Sequence, residues 1–228
     1  MNPKSFIALV LMVVSNITLL GQKTVEVFGG GSYNHLFDGG DLSIHYMSEY
    51  KNGNGFVLGG AIEEIRTDWI KWRFTLHFEN YNGEFNISDG SLGGGYTDEA
   101  TFDKSIIALG LYPLNIKVTK NLCVNFGIII SRMINENFEG THYSWVVNKG
   151  LWSYPIDDSE RYSNRGMIGF QTRLAYQIKL SEKLALLPQY HFYYGFSSET
   201  RITPTKAMRH YFNIGISKVI NFRKNEDE

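Results

Sequence analysis

The segment WIKWRFTLHFE, residues 69–79, constrains the fold more than any other stretch of the chain. Ile70, Trp72, Phe74, Leu76 and Phe78 alternate with Lys71, Arg73, Thr75, His77 and Glu79. Successive side chains of a pleated strand point to opposite sides, whereas a helix would scatter this pattern around its axis. The segment is therefore a strand with one bulky apolar face and one charged face. Such a strand either buries its apolar face in a core or turns it toward lipid.

The pattern recurs. Eight alternating segments fall at about residues 24–34, 54–65, 69–81, 103–114, 121–132, 165–178, 183–196 and 207–222. Ile168, Phe170, Leu174, Tyr176 and Ile178 share one face of the sixth segment; Gly169, Gln171, Arg173, Ala175 and Gln177 share the other. The connections at 66–68, 115–120 and 179–183 are short, and those at 35–53, 82–102, 133–164 and 197–206 are long and polar. Short and long alternate throughout, as in an up-and-down barrel with its long loops at one end. Within 41–55, Asn-Gly and Gly-Asn steps allow one further strand. Aromatic residues make up 14% of the chain and Pro is rare, which suits many strands.

Residues 1–21 read differently. Lys4 precedes an apolar run from Phe6 to Val14, with a mixed stretch ending at Gly21. This is a signal-peptide pattern, and the run is shorter than the roughly 20 residues of a spanning helix. The expected organisation is a signal peptide at 1–21 and a single barrel domain at 22–228. The lone Cys123 leaves no internal disulfide, and its expected role is packing. The formal net charge of −1 gives no electrostatic case for nucleic acid.

Which face is wet follows from volume. Eight strands enclose little space, so a core built from Trp72, Phe74, Phe78, Phe170, Tyr190 and Phe192 would be overfilled. The opposite faces mix small residues with charges of both signs, which suits a narrow interior. A closed barrel also satisfies every strand hydrogen bond in hydrocarbon. The expected fold is all-β: an antiparallel up-and-down transmembrane β-barrel of eight strands. Trp69, Trp72, Tyr112, Tyr194 and Phe196 stand at strand ends as candidate interface aromatics. His210 and Lys218 fall on the lipid-facing side, where Lys218 must reach a polar edge.

The stretches NGFVLGGAIEE, WIKWRFTLHFENYNGEF, SIIALGLYPLNIKVTKNLCVNFGIIISRM, GMIGFQTRLAYQIKLSEKLALLPQYHFYYGF and HYFNIGISKVINF carry a family likeness. Over about residues 24–222 the chain resembles the small outer-membrane β-barrel proteins of Gram-negative bacteria called porin-family or PorT-like. The likeness is one of pattern and order, with few fixed residues. It implies location in the cell outer membrane, short turns in the periplasm and long loops outside the cell. It further implies outer-membrane lipid and the assembly machinery as partners. Family barrels end on an aromatic residue; Phe222 matches, but RKNEDE follows it.

Candidate chemistry is sparse. Glu26, Glu63, Lys71, Arg73, His77, Glu79 and Arg173 should face the lumen and pair as a plug, since unpaired buried charge is costly. His77 and Glu79 are spaced as metal ligands can be, but no third ligand is evident and no metal or cofactor is expected. The loop DGSLGGGYTDEATFD lacks calcium-loop spacing, and its GGG lacks the residues that complete a phosphate loop. Tyr143, Trp145, Trp152 and Tyr154, in a long loop, could stack on a glycan, dock a protein or cap the barrel mouth. No catalytic set assembles. The expected function is a non-enzymatic barrel, structural or binding through its outer loops, with an occluded lumen. The alternatives are a lipid- or lipopolysaccharide-modifying enzyme using His191 and His210, and a soluble lipocalin-like carrier.

Overall fold

The computed structural model describes residues 22–38, 46–65, 71–156, 163–201 and 205–221. Among them are eleven strands and no helix. They are β1 (Gln22–Asp38), β2 (Tyr46–Lys51), β3 (Gly53–Ile65), β4 (Lys71–Ser91), β5 (Gly94–Lys117) and β6 (Leu122–Val146). The remainder are β7 (Gly150–Ile156), β8 (Gly166–Tyr176), β9 (Ile178–Lys179), β10 (Leu184–Gly195) and β11 (Thr205–Asn221). All pairings are antiparallel. The order β1–β3–β4–β5–β6–β8–β10–β11 closes on itself through β11 and β1, giving a ring of eight strands. β9 continues β8 along β10 after a break at Gln177. The proposed leader at 1–21 and the terminal Phe222 lie outside the described residues, as do Trp69 and the turn at 66–68.

Inside the barrel wall the alternation holds. On β4, Arg73, Thr75, His77 and Glu79 are buried in the lumen while Leu76 is exposed on the outer wall. Val27, Leu58, Leu111, Ile128, Ile168, Ile214 and Ile216 are likewise exposed on the outside. The apolar stretch Trp72–Phe78 runs about 20 Å along its strand, or about 15 Å of barrel height, given 3.3 Å per residue and a strand tilt near 40°. An apolar surface band wrapped around a closed ring is the lipid-facing belt of a membrane-spanning barrel.

Two of the expected long loops are mostly not loops. Residues 82–102 form the upper halves of β4 and β5, paired without interruption from Asn82↔Asp103 to Ser91↔Gly94. Residues 133–146 extend β6, which folds back on β7. Only the turns at 92–93 and 147–149 are non-strand there. Asn148 has φ 65° and Gly150 φ 107°, left-handed geometry that Asn and Gly tolerate. Residues 46–51, within the stretch that allowed a further strand, pair as β2 with β4.

The physical reason lies in the alternation itself. Above Glu79 the even positions of β4 become Asn80, Asn82, Glu84, Asn86 and Ser88, while the odd positions become Tyr81, Gly83, Phe85 and Ile87. The odd residues are buried: Tyr81 at 1% exposure, Phe85 at 4% and Ile87 at 1%. The apolar face thus passes from outside to inside along one unbroken strand. β5 behaves the same way, with Phe102 and Ala100 buried and Asp103 and Thr101 exposed. On β6 a bulge skips Ile134, so that Met133 faces Ile106 while Asn135 faces Ser105 and Glu136 faces Lys104. Where the belt ends the strands leave lipid and build an ordinary water-excluding core around Phe85, Ile87, Phe102 and Ile156.

Candidate functional site

The lumen is filled in layers. The layer nearest the short turns centres on Glu26 of β1. Its Oε2 accepts from Arg73 Nη1 at 2.8 Å and from Arg173 Nη2 at 3.1 Å; its Oε1 accepts from Gln189 Nε2 at 2.5 Å. Arg173 also donates through Nε to Gln189 Oε1 at 2.6 Å and through Nη1 to Asn125 Oδ1 at 2.8 Å. Tyr112 is fully buried and donates to Gln171. Its assignment to a membrane interface is therefore corrected: its position on β5 shares the inward face with Ala108 and Gly110.

The middle layer is a ring of four aromatic side chains from four strands. Phe28 meets His77 at 6.3 Å and His191 at 6.0 Å between ring centroids. Tyr211 meets the same two imidazoles at 6.4 and 6.3 Å. The circuit crosses the lumen as a septum. Gly59 makes room for it: an added Cβ there would lie 2.5 Å from the His77 Cβ and 2.8 Å from the Phe28 ring.

The third layer lies beyond the septum. Arg209 of β11 pairs with Glu79 at 3.6 Å and with Glu199, and donates to the Tyr81 hydroxyl at 2.9 Å. Its guanidinium lies 4.4 Å from the Tyr81 ring centroid and 5.1 Å from that of Tyr193. Tyr81 donates to Glu199 at 2.8 Å and Tyr211 to Glu79 at 3.1 Å. Glu199 reaches the lumen from the segment after β10, which Asn164 pins through the Ser198 and Thr200 carbonyls. Nearby, Lys104 sits 3.5 Å from Glu136.

Of the residues that alternation directed inward, Glu26, Arg73 and Arg173 meet in the first layer, His77 lies in the septum and Glu79 in the third. Glu63 is half-buried and registers directly across from Arg73. The side chain of Lys71 lies outside the described residues. Sequence reading missed Arg209, Glu199, Lys104 and Glu136. Arg209 shares the period of Tyr211 and Asn213 and was legible. Glu199 falls in an expected loop, and Glu136 stands behind the bulge.

Tyr143, Trp145, Trp152 and Tyr154 stand on the β6–β7 hairpin rather than in an irregular loop. Tyr143 faces Ser153 and Trp145 faces Leu151 on one side; Trp152 faces Ser144 and Tyr154 faces His142 on the other. Tyr154 stacks on His142 at 4.5 Å, and His142 on Tyr96 at 5.5 Å. The four aromatics are thus split between two faces and form no single platform. Trp145, Trp152 and Tyr154 are exposed.

The two histidines of the enzymatic alternative do not converge. His191 is buried in the septum, whereas His210 stands on the outer wall, where Nδ1 shares a 2.6 Å hydrogen bond with the Tyr190 hydroxyl. Lys218 is exposed and registers with Leu184 beside the short turn. The carrier alternative is also overturned, since the space it needs for an apolar ligand holds charged and aromatic side chains. Cys123 faces the lumen mouth, its Sγ 3.8 Å from Arg173 Nη1.

No family model matches the chain. Over 105 residues it is 26% identical to a C-8 sterol isomerase from Pyricularia oryzae, a match covering 46% of this chain and 45% of that protein. The chain thus spans less than half the length of this curated relative. Among solved structures it is similar to AlkL, an outer membrane protein determined in lipid bilayers (TM-score 0.40, 12% identity, 92% of this chain and 95% of that one). It is also similar to Ail, the attachment invasion locus protein of Yersinia pestis (TM-score 0.39, 10% identity, 87% and 99%). A third is the outer membrane protein OprG from Pseudomonas aeruginosa (TM-score 0.36, 12% identity, 89% and 97%).

Proposed function

We propose that this chain is a non-conducting, non-enzymatic outer-membrane barrel of the PorT-like kind, which works through the sheet it raises above the membrane. The observation that carries the reading is the inversion of β4 and β5. Their lower halves suit lipid outside and charge inside; their upper halves suit water outside and an apolar core inside. A chain that only needed to span a bilayer would not continue its strands so far beyond the belt. The lumen supports the same reading, because two ionic layers and an aromatic septum occupy it, as suits an eight-stranded ring.

On this reading the β6–β7 hairpin and the adjoining β4–β5 turn are the contact surface, carrying Leu92, Trp145, Leu151, Trp152 and Tyr154 in exposed positions. Exposed aromatics at a projecting edge suit a protein or glycan surface. Outer-membrane lipid around the belt and the assembly machinery during insertion complete the set of partners. The test is an epitope inserted at Asn148 in cells producing the full chain. Antibody labelling of intact cells is the expected result; labelling only after permeabilisation would place the hairpin on the wrong side. The purified barrel in planar bilayers should show no sustained conductance.

A further inference from the structure

Two turns at the short-turn end are built alike. In VTKNL, residues 118–122, the N–H groups of Val118 and Thr119 donate to the Leu122 carbonyl at 2.9 and 3.2 Å. In LSEKL, residues 180–184, those of Leu180 and Ser181 donate to the Leu184 carbonyl at 2.9 and 3.0 Å. Each hydroxyl then accepts a backbone N–H two residues on, Thr119 Oγ1 from Asn121 at 3.3 Å and Ser181 Oγ from Lys183 at 3.4 Å. Ser and Thr close turns in this way onto their own backbone. The Gln177 N–H donates to the Asn121 carbonyl at 2.7 Å, which ties the first turn to the break between β8 and β9. The backbone at this end is thus held in place before any ligand arrives.

Between the first turn and that break lies an open groove of about 640 Å³, within the range of small-molecule sites. Three exposed cations line it, Lys117, Lys120 and Lys179, and no carboxylate does. The chain as a whole is balanced, with 22 Lys and Arg against 23 Asp and Glu, so the enrichment is local. The raised sheet has the opposite sign: a groove there is lined by Glu49, Glu84, Glu99 and Glu139 against Lys51 alone.

The basic groove runs into the lipid-facing wall. Tyr176 and Ile178 line it at 47% and 40% exposure, and Leu174, also exposed, continues the same face up β8. On the other flank Leu114, Ile116 and Val118 are exposed. Cations at the membrane edge attract anionic lipid, and a bare apolar wall directly above them accepts its tails.

We propose that this groove binds an anionic glycerophospholipid of the leaflet at the short-turn end. The phosphodiester lies among Lys117, Lys120 and Lys179, the amides of Asn121 and Gln177 serve the glycerol oxygens, and an acyl chain follows Tyr176 and Leu174. A phosphatidylcholine headgroup brings its own cation and no net charge, so the lysines select against it. A soluble phosphate ester would meet the lysines but leave the apolar wall uncovered. The inference rests on the membrane-spanning ring and not on what the β6–β7 hairpin contacts, so the two readings fail separately.

The test uses the full chain folded in detergent micelles, mixed with equal amounts of phosphatidylglycerol and phosphatidylcholine and examined by native mass spectrometry. One retained phosphatidylglycerol, favoured at least fivefold over phosphatidylcholine, is expected. Lys117→Gln/Lys120→Gln/Lys179→Gln should bring that preference below twofold while unheated gel mobility shows a folded barrel. Lys51→Gln/Lys149→Gln/Lys206→Gln removes the same charge at the far end and should keep the full preference. If the groove variant does not fold, Lys179→Glu alone decides the matter: at least a twofold drop is expected, and an unchanged preference overturns the proposal. No preference in the unaltered chain, full preference in the folded groove variant, or equal loss in both triple variants also overturns it. Glycerol 3-phosphate at a hundredfold excess should leave the lipid in place; displacement would make the ligand a soluble phosphate ester and overturn the lipid assignment.

Discussion

Arg73 of β4 and Arg173 of β8 close on one oxygen, Oε2 of Glu26, from opposite sides of the lumen. The two strands are not neighbours in the ring, so this contact ties the wall across its diameter. The carboxylate keeps two like charges in a space that would otherwise drive them apart.

Glu26→Gln should therefore be strongly destabilising. Removing one member of a buried ionic cluster costs about 3–5 kcal/mol, because the remaining charges are left uncompensated. Urea unfolding followed by tryptophan fluorescence should show that loss. Glu26→Gln/Arg73→Met should recover part of it, since the variant then holds one fewer unbalanced cation. A double variant less stable than the sum of the single changes would contradict this account.

The face inversion predicts opposite tolerances on one strand. Leu76→Arg puts a charge on the belt and should cost about 2–4 kcal/mol if it lies near the midplane, with slower insertion into liposomes. Asn86→Arg, on the same outward face ten residues later, should change stability by less than about 0.5 kcal/mol. Equal penalties would mean that the belt extends above Asn80.

Quenching should sort the tryptophans. A protein retaining only Trp72 should be quenched by brominated lipid and little by aqueous iodide. One retaining only Trp152 should show the reverse, because Trp152 is exposed above the belt. The inside-out reading fails if Trp72 is insensitive to brominated lipid.

The septum gives two expectations. Gly59→Ala should destabilise by about 1–3 kcal/mol, as overpacking does, because the new methyl meets His77 and Phe28. Phe28→Ala/Tyr211→Ala removes two members of the ring. Single-channel recordings should then show brief small openings that the unaltered barrel lacks.

Much of this was legible in the residues. Trp72, Phe74, Leu76 and Phe78 against Arg73, Thr75, His77 and Glu79 fix both the strand and the sense of its faces, because pleating leaves only two sides. The same period ran on through Tyr81, Phe85 and Ile87, but with apolar residues on the other parity. Polar composition made those residues resemble loop, and the swap was visible only by following parity past Asn80. Glu136 was hidden by a bulge that resets parity, a feature set by pairing and not by the residue itself.

The sequence by itself determined the eight strands of the ring, their order, the short-turn end and the polar interior, since each depends on spacing along one segment. Only the tertiary structure decided which inward residues meet. Glu26 lies 47 positions from Arg73 and 147 from Arg173, and the third layer recruits Glu199 from outside the strands altogether. Closure of the ring sets those distances. Alternation tells a side chain which way to point, whereas curvature and stagger determine what stands opposite it.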